Sequence, residues 1–135
     1  MLLSVGMPSL ATSIAYFSYQ NYMIKARLTD AQAVLIKAAL FMERFYTENN
    51  YYDQDTGGTA VARPAPINES PWDVGAKDYD IVVQASSAST FTLRATSKNV
   101  QAADGFLEIT NTFAKAWDAD NVGSVGAGES TWTSY

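Results

Sequence analysis

The sequence predicts an α+β fold, in which one long N-terminal helix packs its C-terminal half on a small antiparallel β-sheet. Three observations predict it. Met1 to Ile24 contains no Asp, Glu, Lys or Arg. An apolar stripe of helical period runs through the charged stretch that follows. Three short strand candidates come after the stripe, and elements arranged in blocks rather than in alternation specify α+β architecture.

With 135 residues, the chain suits one domain. The sequence divides it into a protruding hydrophobic helix over 1–24 and a globular head over 25–135. Its apolar and aromatic content is that of a folded protein, not of a disordered one. A net charge of −5 argues against nucleic acid as a partner, because phosphate binding requires a basic surface. There is no cysteine, hence no disulfide framework and no thiolate chemistry. There is no histidine either, which removes the commonest general base and metal ligand. No carboxylate pair stands out for acid–base work. The sequence therefore predicts a protein that is not an enzyme, with no catalytic, cofactor or metal residues.

The first element is the uncharged helix. A signal peptide has a basic start, and no Lys or Arg precedes Met7. A spanning helix takes about 20 apolar residues. Met1 to Ile24 has that length, but Ser4, Ser9, Thr12, Ser13, Ser18, Gln20 and Asn21 dilute its apolarity. Pro8 removes one backbone donor and predicts a kink. Gly6, Ser9, Ala11, Ser13 and Ala15 permit close helix–helix contact. The segment thus reads as an anchor or bundle helix; the alternative is a helix buried in its own domain.

From Ile24 the stripe runs through Leu28, Ala31, Leu35, Ala38, Met42 and Phe45. Its steps alternate between four and three residues. Ile24, Leu28, Leu35, Met42 and Phe45 are its predicted sheet-packing residues, and Val34, Ile36, Leu40 and Phe41 widen the face. No breaker stands between Ser9 and Glu48. One helix of about 40 residues, roughly 60 Å long, would exceed the width of the head, so its N-terminal half must protrude. Asn49-Asn50 and the stretch Asp53 to Gly58 end it.

Tyr51 to Asp78 reads as a long connection containing Gly57-Gly58, Pro64, Pro66, Pro71 and Gly75, with Trp72 as its anchor. Tyr79–Gln84, Thr90–Thr96 and Phe106–Thr112 are the predicted strands, with Ser86 to Ser89 as a turn. In the second, Phe91, Leu93 and Ala95 share one face. Short connections favour an antiparallel meander. Asp118 to Tyr135 is a Gly-, Ser- and Thr-rich tail anchored by Trp117 and Trp132.

Several segments resemble the type IV pilins, closest to the small Gram-negative pilins of the PilE-like kind. Ser18-Tyr19-Gln20-Asn21-Tyr22 with Lys25-Ala26-Arg27 is similar to the family's membrane exit. Met42-Glu43-Arg44-Phe45-Tyr46-Thr47-Glu48-Asn49-Asn50-Tyr51 resembles its helix end and is the most specific match. Thr90–Thr96 is similar to its second strand. The resemblance covers nearly the whole chain and implies the pilin fold. It also implies a structural subunit of a type IV pilus, an extracellular filament used in adhesion and twitching motility. Implied partners are copies of the chain itself, the inner-membrane pilus assembly machinery and, transiently, the membrane. Leu2, Leu3, Val5, Met7, Leu10, Ile14 and Phe17 would pack in the filament core. A minor pilin, a type II secretion pseudopilin and a membrane-anchored monomeric periplasmic binding domain are the alternatives.

The chain also departs from the family. The leader peptide, the aromatic N-terminus and a glutamate that pairs with a neighbour's amine in assembly would lie before Met1. They either precede this sequence or were lost. Phe17 stands where many relatives carry a kinking proline. Gly105 and Thr131 stand near the positions of the family's C-terminal cysteines, so Trp132 is expected to fix the loop instead.

Three further signals have bland alternatives. The aromatic residues at helical spacing suggest electron transport, but packing explains them more simply. Asp118-Ala119-Asp120-Asn121 spaces oxygens as calcium loops do, yet lacks the later Glu, so a solvated turn is favoured. Asn68-Glu69-Ser70 fits a glycosylation sequon, with Asn68 as acceptor, but so short a pattern often occurs by chance.

Overall fold

Helix α1 runs from Met7 to Asn49 in the structure, a computed structural model. Residues 7–61, 68–71, 75–127, 129 and 131–132 are described, with side chains from residue 19 onward. Leu2, Leu3 and Val5 lie outside the described residues, as do the side chains of Met7, Leu10, Ile14 and Phe17. Trp72 also falls outside them. The backbone bond that Pro8 forgoes would run to residue 4, so the expected kink falls outside them too. With 43 residues, α1 is about 65 Å long.

The helix ends for a local reason. Asn50 adopts a left-handed conformation, φ 63°, which asparagine tolerates better than most residues. Its N–H donates to Tyr46 O at 2.7 Å, and Asn49 Nδ2 donates to Phe45 O at 3.0 Å. Two carbonyls of the last turn are thereby satisfied.

Five strands follow: β1 (Glu69–Ser70), β2 (Tyr79–Ser86), β3 (Phe91–Ser97), β4 (Phe106–Thr110) and β5 (Lys115–Trp117). They form one antiparallel sheet in chain order. This is the expected meander with two added edges. Both additions were invisible as strands because they have two and three residues, too few for alternation to register.

The core lies between α1 and one face of the sheet. Leu28, Ala31, Val34, Leu35, Ala38, Ala39 and Met42 from the helix meet Ile81, Phe91, Leu93, Ala95, Leu107 and Ile109. The alanines bring the helix axis close to the sheet, and the larger residues fill the space beside it. Ile24 and Phe45, the stripe's two ends, are half-buried. Leu40, expected to widen the packed face, is 56 % exposed, because the stripe's faces diverge from it around the helix. Tyr52 closes the end of the core, 4.5 Å from the Tyr46 ring and edge-on to Phe91 at 4.9 Å. Burial, followed by its bond to Glu43, pushes the Tyr52 hydroxyl up to about 12, so it remains a donor to Glu43 Oε1.

On the outer face, Arg94 and Glu108 are cross-strand partners joined at 2.7 Å. At the β1 edge, Glu69 stands directly opposite Asp80, a like-charge pair that disfavours pairing. Lys98 resolves it, with Nζ at 3.1 Å from Glu69 and 2.7 Å from Asp80. Its ammonium is held above the ordinary lysine range, chiefly by the bond to Asp80. Lys98→Met is therefore expected to cost at most about 1 kcal/mol globally, because the group is partly exposed. Its larger effect is local. Amide exchange should accelerate at Ile81 and Asp78, whose N–H groups donate to Asn68 and Ser70.

Candidate functional site

Three features surround the place where α1 leaves the sheet. The first is the helix surface. No helix side chain between Tyr19 and Arg27 is fully buried. Tyr19 is 63 % and Tyr22 70 % exposed. Two cavities flank this stretch and share Arg27. One, of about 450 Å³, lies among Tyr19, Gln20, Met23, Ile24, Arg27 and Val100. The other, of about 340 Å³, is lined by Ala26, Arg27, Asp30, Ser70 and Pro71 with Asp78. Arg27 Nε stands 3.5 Å from Asp78 Oδ2, and Ser70 Oγ donates to Asp30 Oδ2 at 2.7 Å. These contacts tie the β1 edge to the helix.

The second feature is a buried polar cluster under the same stretch. Gln101, 1 % exposed, belongs to a single 3₁₀ turn, Asn99–Gln101. Its Nε2 donates to Ile24 O at 3.3 Å and to Asp104 Oδ2 at 2.6 Å. Tyr79 Oη donates to the same Asp104 oxygen at 3.2 Å. Burial raises the Asp104 pKa, and the Tyr79 bond only partly opposes this. The sign follows from linkage. A carboxyl with a raised folded pKa contributes stability below its unfolded pKa, and that contribution is lost as pH rises through the folded value. Asp104→Asn keeps an acceptor for Tyr79 and cannot ionise. Thermal melts are expected to show the variant more stable than the parent at neutral pH, with the difference vanishing towards about pH 4.

The third feature is the C-terminal loop. Trp117 Nε1 donates to Asp104 O at 2.9 Å, and Trp132 Nε1 to Ala116 O at 3.0 Å. Gln32 Nε2, on the helix, donates to Trp132 O at 3.3 Å. Trp132 is 8 % exposed and part of the core, and it fixes the loop as the sequence suggested. Gly105 has φ +67°, and a Cβ there would lie 1.9 Å from Asp118 O. A cysteine therefore has no room at 105 in this fold.

The run Asp118–Asn121 forms a turn. Asp118 accepts from Val122 N at 3.0 Å and Gly123 N at 2.9 Å. Glu129, which the sequence pattern did not connect with this run, folds back and accepts from Ala119 N at 2.9 Å. Oxygens of Asp118, Asp120 and Glu129 lie within 4.8 Å of one another. Their recorded partners are the backbone donors of the loop, so they serve as its internal braces.

Among the sequence-predicted residues, Leu28, Leu35 and Met42 are buried in the helix–sheet core. Asn68 is half-buried beside β1, and Ser70 of its sequon is only 1 % exposed. The sequence missed Gln101 and Glu129. Neither has a motif, and both act through partners distant in the chain. Among the described residues, no helix is long and apolar enough to cross a membrane.

Comparison with known proteins agrees with this architecture. Residues 18–108 match the family model described as type IV minor pilin ComP, DNA uptake sequence receptor. Among curated protein sequences, none matches the chain. The fold is similar to the crystal structure of the non-core minor pilin PilV of Neisseria meningitidis. The TM-score is 0.52 at 17 % identity, over 78 % of this chain and 96 % of that one. A long helix laid on an antiparallel meander and a match over more than half of the sequence lead to one conclusion: the chain belongs to the type IV minor pilin family of ComP.

Proposed function

We propose that this chain is a minor pilin that enters a type IV pilus through the N-terminal half of α1. The observation that carries the reading is the division of that helix. Its fully buried side chains among the described residues begin at Leu28 and end at Met42, while Tyr19 to Ile24 continue the same helix without a sheet to cover them. A surface of this kind suits a bundle of pilin helices. Before assembly, the uncharged segment 1–24 resides in the inner membrane. Afterwards it packs beside other pilin subunits, and open, head-to-tail addition continues the filament. The role is assembly, not catalysis. The sheet and the described parts of the loops after α1 and after β5 would face outward, where contacts for adhesion or motility would be made.

Abundance separates a minor pilin from the bulk subunit. Quantitative mass spectrometry of sheared, purified filaments is expected to find the chain at a small fraction of the main pilin. Equal or greater mass would make it the main subunit, and complete absence would remove it from the filament.

The family's description includes DNA reception, and the electrostatics favour a filament role without it. Net charge is −5. Arg27, Arg44, Arg94 and Lys98 all stand within 4 Å of carboxylates, and Lys77 donates to Pro71 O. A cation already paired gains less from a phosphate. Gel-shift titration of the full chain in detergent with duplex DNA at low salt is expected to show no retarded band. A sharp, salt-dependent shift would restore the receptor role.

A further inference from the structure

The smaller of the two cavities, between α1 and the β1 edge, holds two carboxylates against one cation. Asp78, 5 % exposed, is fixed there by its backbone. Its N–H donates to Ser70 O and its carbonyl accepts from Lys98 N, both at 2.8 Å. Its Oδ2 stands 3.5 Å from Arg27 Nε, longer than a good hydrogen bond. Its Oδ1 is buried and has no hydrogen-bond partner. Lys77, the preceding residue, is engaged with Pro71 O instead. Asp30 joins the cavity from the helix, with Oδ2 accepting from the Ser70 hydroxyl. Ala26, Pro71 and Ala76 supply apolar wall. A buried polar atom without a partner is rare and costly, and more so on a charged group.

We propose that this cavity binds an alkylammonium group, with Asp78 and Asp30 as its acceptors. Charge gives the sign of the ligand: Asp30 and Asp78 against Arg27 leave one negative charge uncompensated. The lining gives its class. A calcium ion takes about six to eight oxygen ligands, whereas the side chains here offer two carboxylates and a hydroxyl already donated to Asp30. An ammonium brings a single charge and three donors, enough for Asp78 Oδ1 and an oxygen of Asp30. The methylenes beside it lie on Ala26, Pro71 and Ala76, as lysine stems lie on apolar surface. The terminal torsion of aspartate is broad, so a small rotation of Asp78 turns its unpartnered oxygen to the cavity. The group arrives on a lysine side chain of another subunit or as a free amine. Once seated, it ties the β1 edge to α1 more firmly than Arg27 does alone. Binding by the isolated chain does not depend on filament entry, so this site and the minor-pilin reading fail separately.

Amide NMR of the full chain in a nonionic detergent, titrated with n-butylammonium chloride, tests the site. The amides of Ser70, Ala76 and Asp78 are expected to shift saturably, while that of Phe113, in the turn between β4 and β5, stays in place. The neutral analogue n-butanol should produce no such shift. Asp78→Asn should weaken binding at least about tenfold, the scale of a lost hydrogen bond to a charged group. Arg27→Gln should strengthen it, because the competing cation is gone. Should Asp78→Asn fail to fold, Asp30→Asn replaces it; that variant keeps an acceptor for Ser70 and should also weaken binding. Equal shifts with n-butanol, or none with n-butylammonium, would overturn the proposal. Tighter binding of calcium at the same amides would overturn it too, since the site would then be a metal site. Purified filaments separate the two sources. A diamine or polyamine released in proportion to this chain on dissociation, and lost with Asp78→Asn, assigns the group to a free amine. A carbodiimide cross-link from Asp30 to a lysine of another subunit assigns it to the neighbour.

Discussion

Trp132→Ala is expected to destabilise the head by about 3 kcal/mol, the scale for removing a nearly buried large aromatic. In a domain of this size that lowers the melting temperature by roughly 12 °C. The ring sits in the core under the ammonium of Lys115, 4.9 Å from its centroid. Its Nε1 holds Ala116 O on the outer strand. Removing it should first free residues 118–132, because Trp117 N donates to Glu129 O at 3.0 Å within the same clamp. Hydrogen exchange at Trp117 should therefore rise more than at Leu93 in the sheet centre. Trp132→Phe keeps most of the packing and loses the donor, so it should show a smaller version of the same loss, about 1 kcal/mol. Equal protection at Trp117 in parent and Trp132→Ala would show that something else holds the loop.

Gly105→Ala has a different cause and a comparable size. The added Cβ would stand 1.9 Å from Asp118 O, and Asp118 cannot yield cheaply. Its N–H donates to Phe106 O at 2.9 Å, and its side chain braces Val122 and Gly123. The left-handed backbone adds strain for any residue with a Cβ. Together these suggest a loss of roughly 3–5 kcal/mol, read as a lower denaturant midpoint. The effect would concentrate where β4 joins the C-terminal loop. A neutral Gly105→Ala would mean that the two segments are not in close contact.

Much of the fold was legible because its signals are repetitive. The steps from Ile24 to Phe45 repeat over three heptads, so the helix and its packed face stood out. Phe91, Leu93 and Ala95 alternate cleanly, and the pairing of β2, β3 and β4 followed from their short connections. What was hidden lacks periodicity. Glu69–Ser70 is a strand because Lys98, Asp30 and the backbone of β2 hold it there. Gln101 matters because its amide reaches Ile24, 77 positions away. Glu129 completes the Asp118 loop from outside the local pattern. Trp132 could be picked out in the sequence since a large aromatic in a Gly-rich tail needs a burial site. The assembly surface was legible only as a division of charge at Ile24. Packing gave that division physical meaning, since the buried stripe starts one turn later, at Leu28.

Incorporation into filaments, tested against the N-terminal half of the helix, bears most directly on the whole account. Cells would express the full chain or a chain starting at Lys25, each secreted to the same compartment and carrying the same tag. Sheared filaments would then be purified and the tag quantified. The account predicts that the full chain co-purifies at low, constant proportion while the shortened chain folds and is absent from the filaments. Equal recovery of the shortened chain would contradict it, because entry would then not depend on the helix.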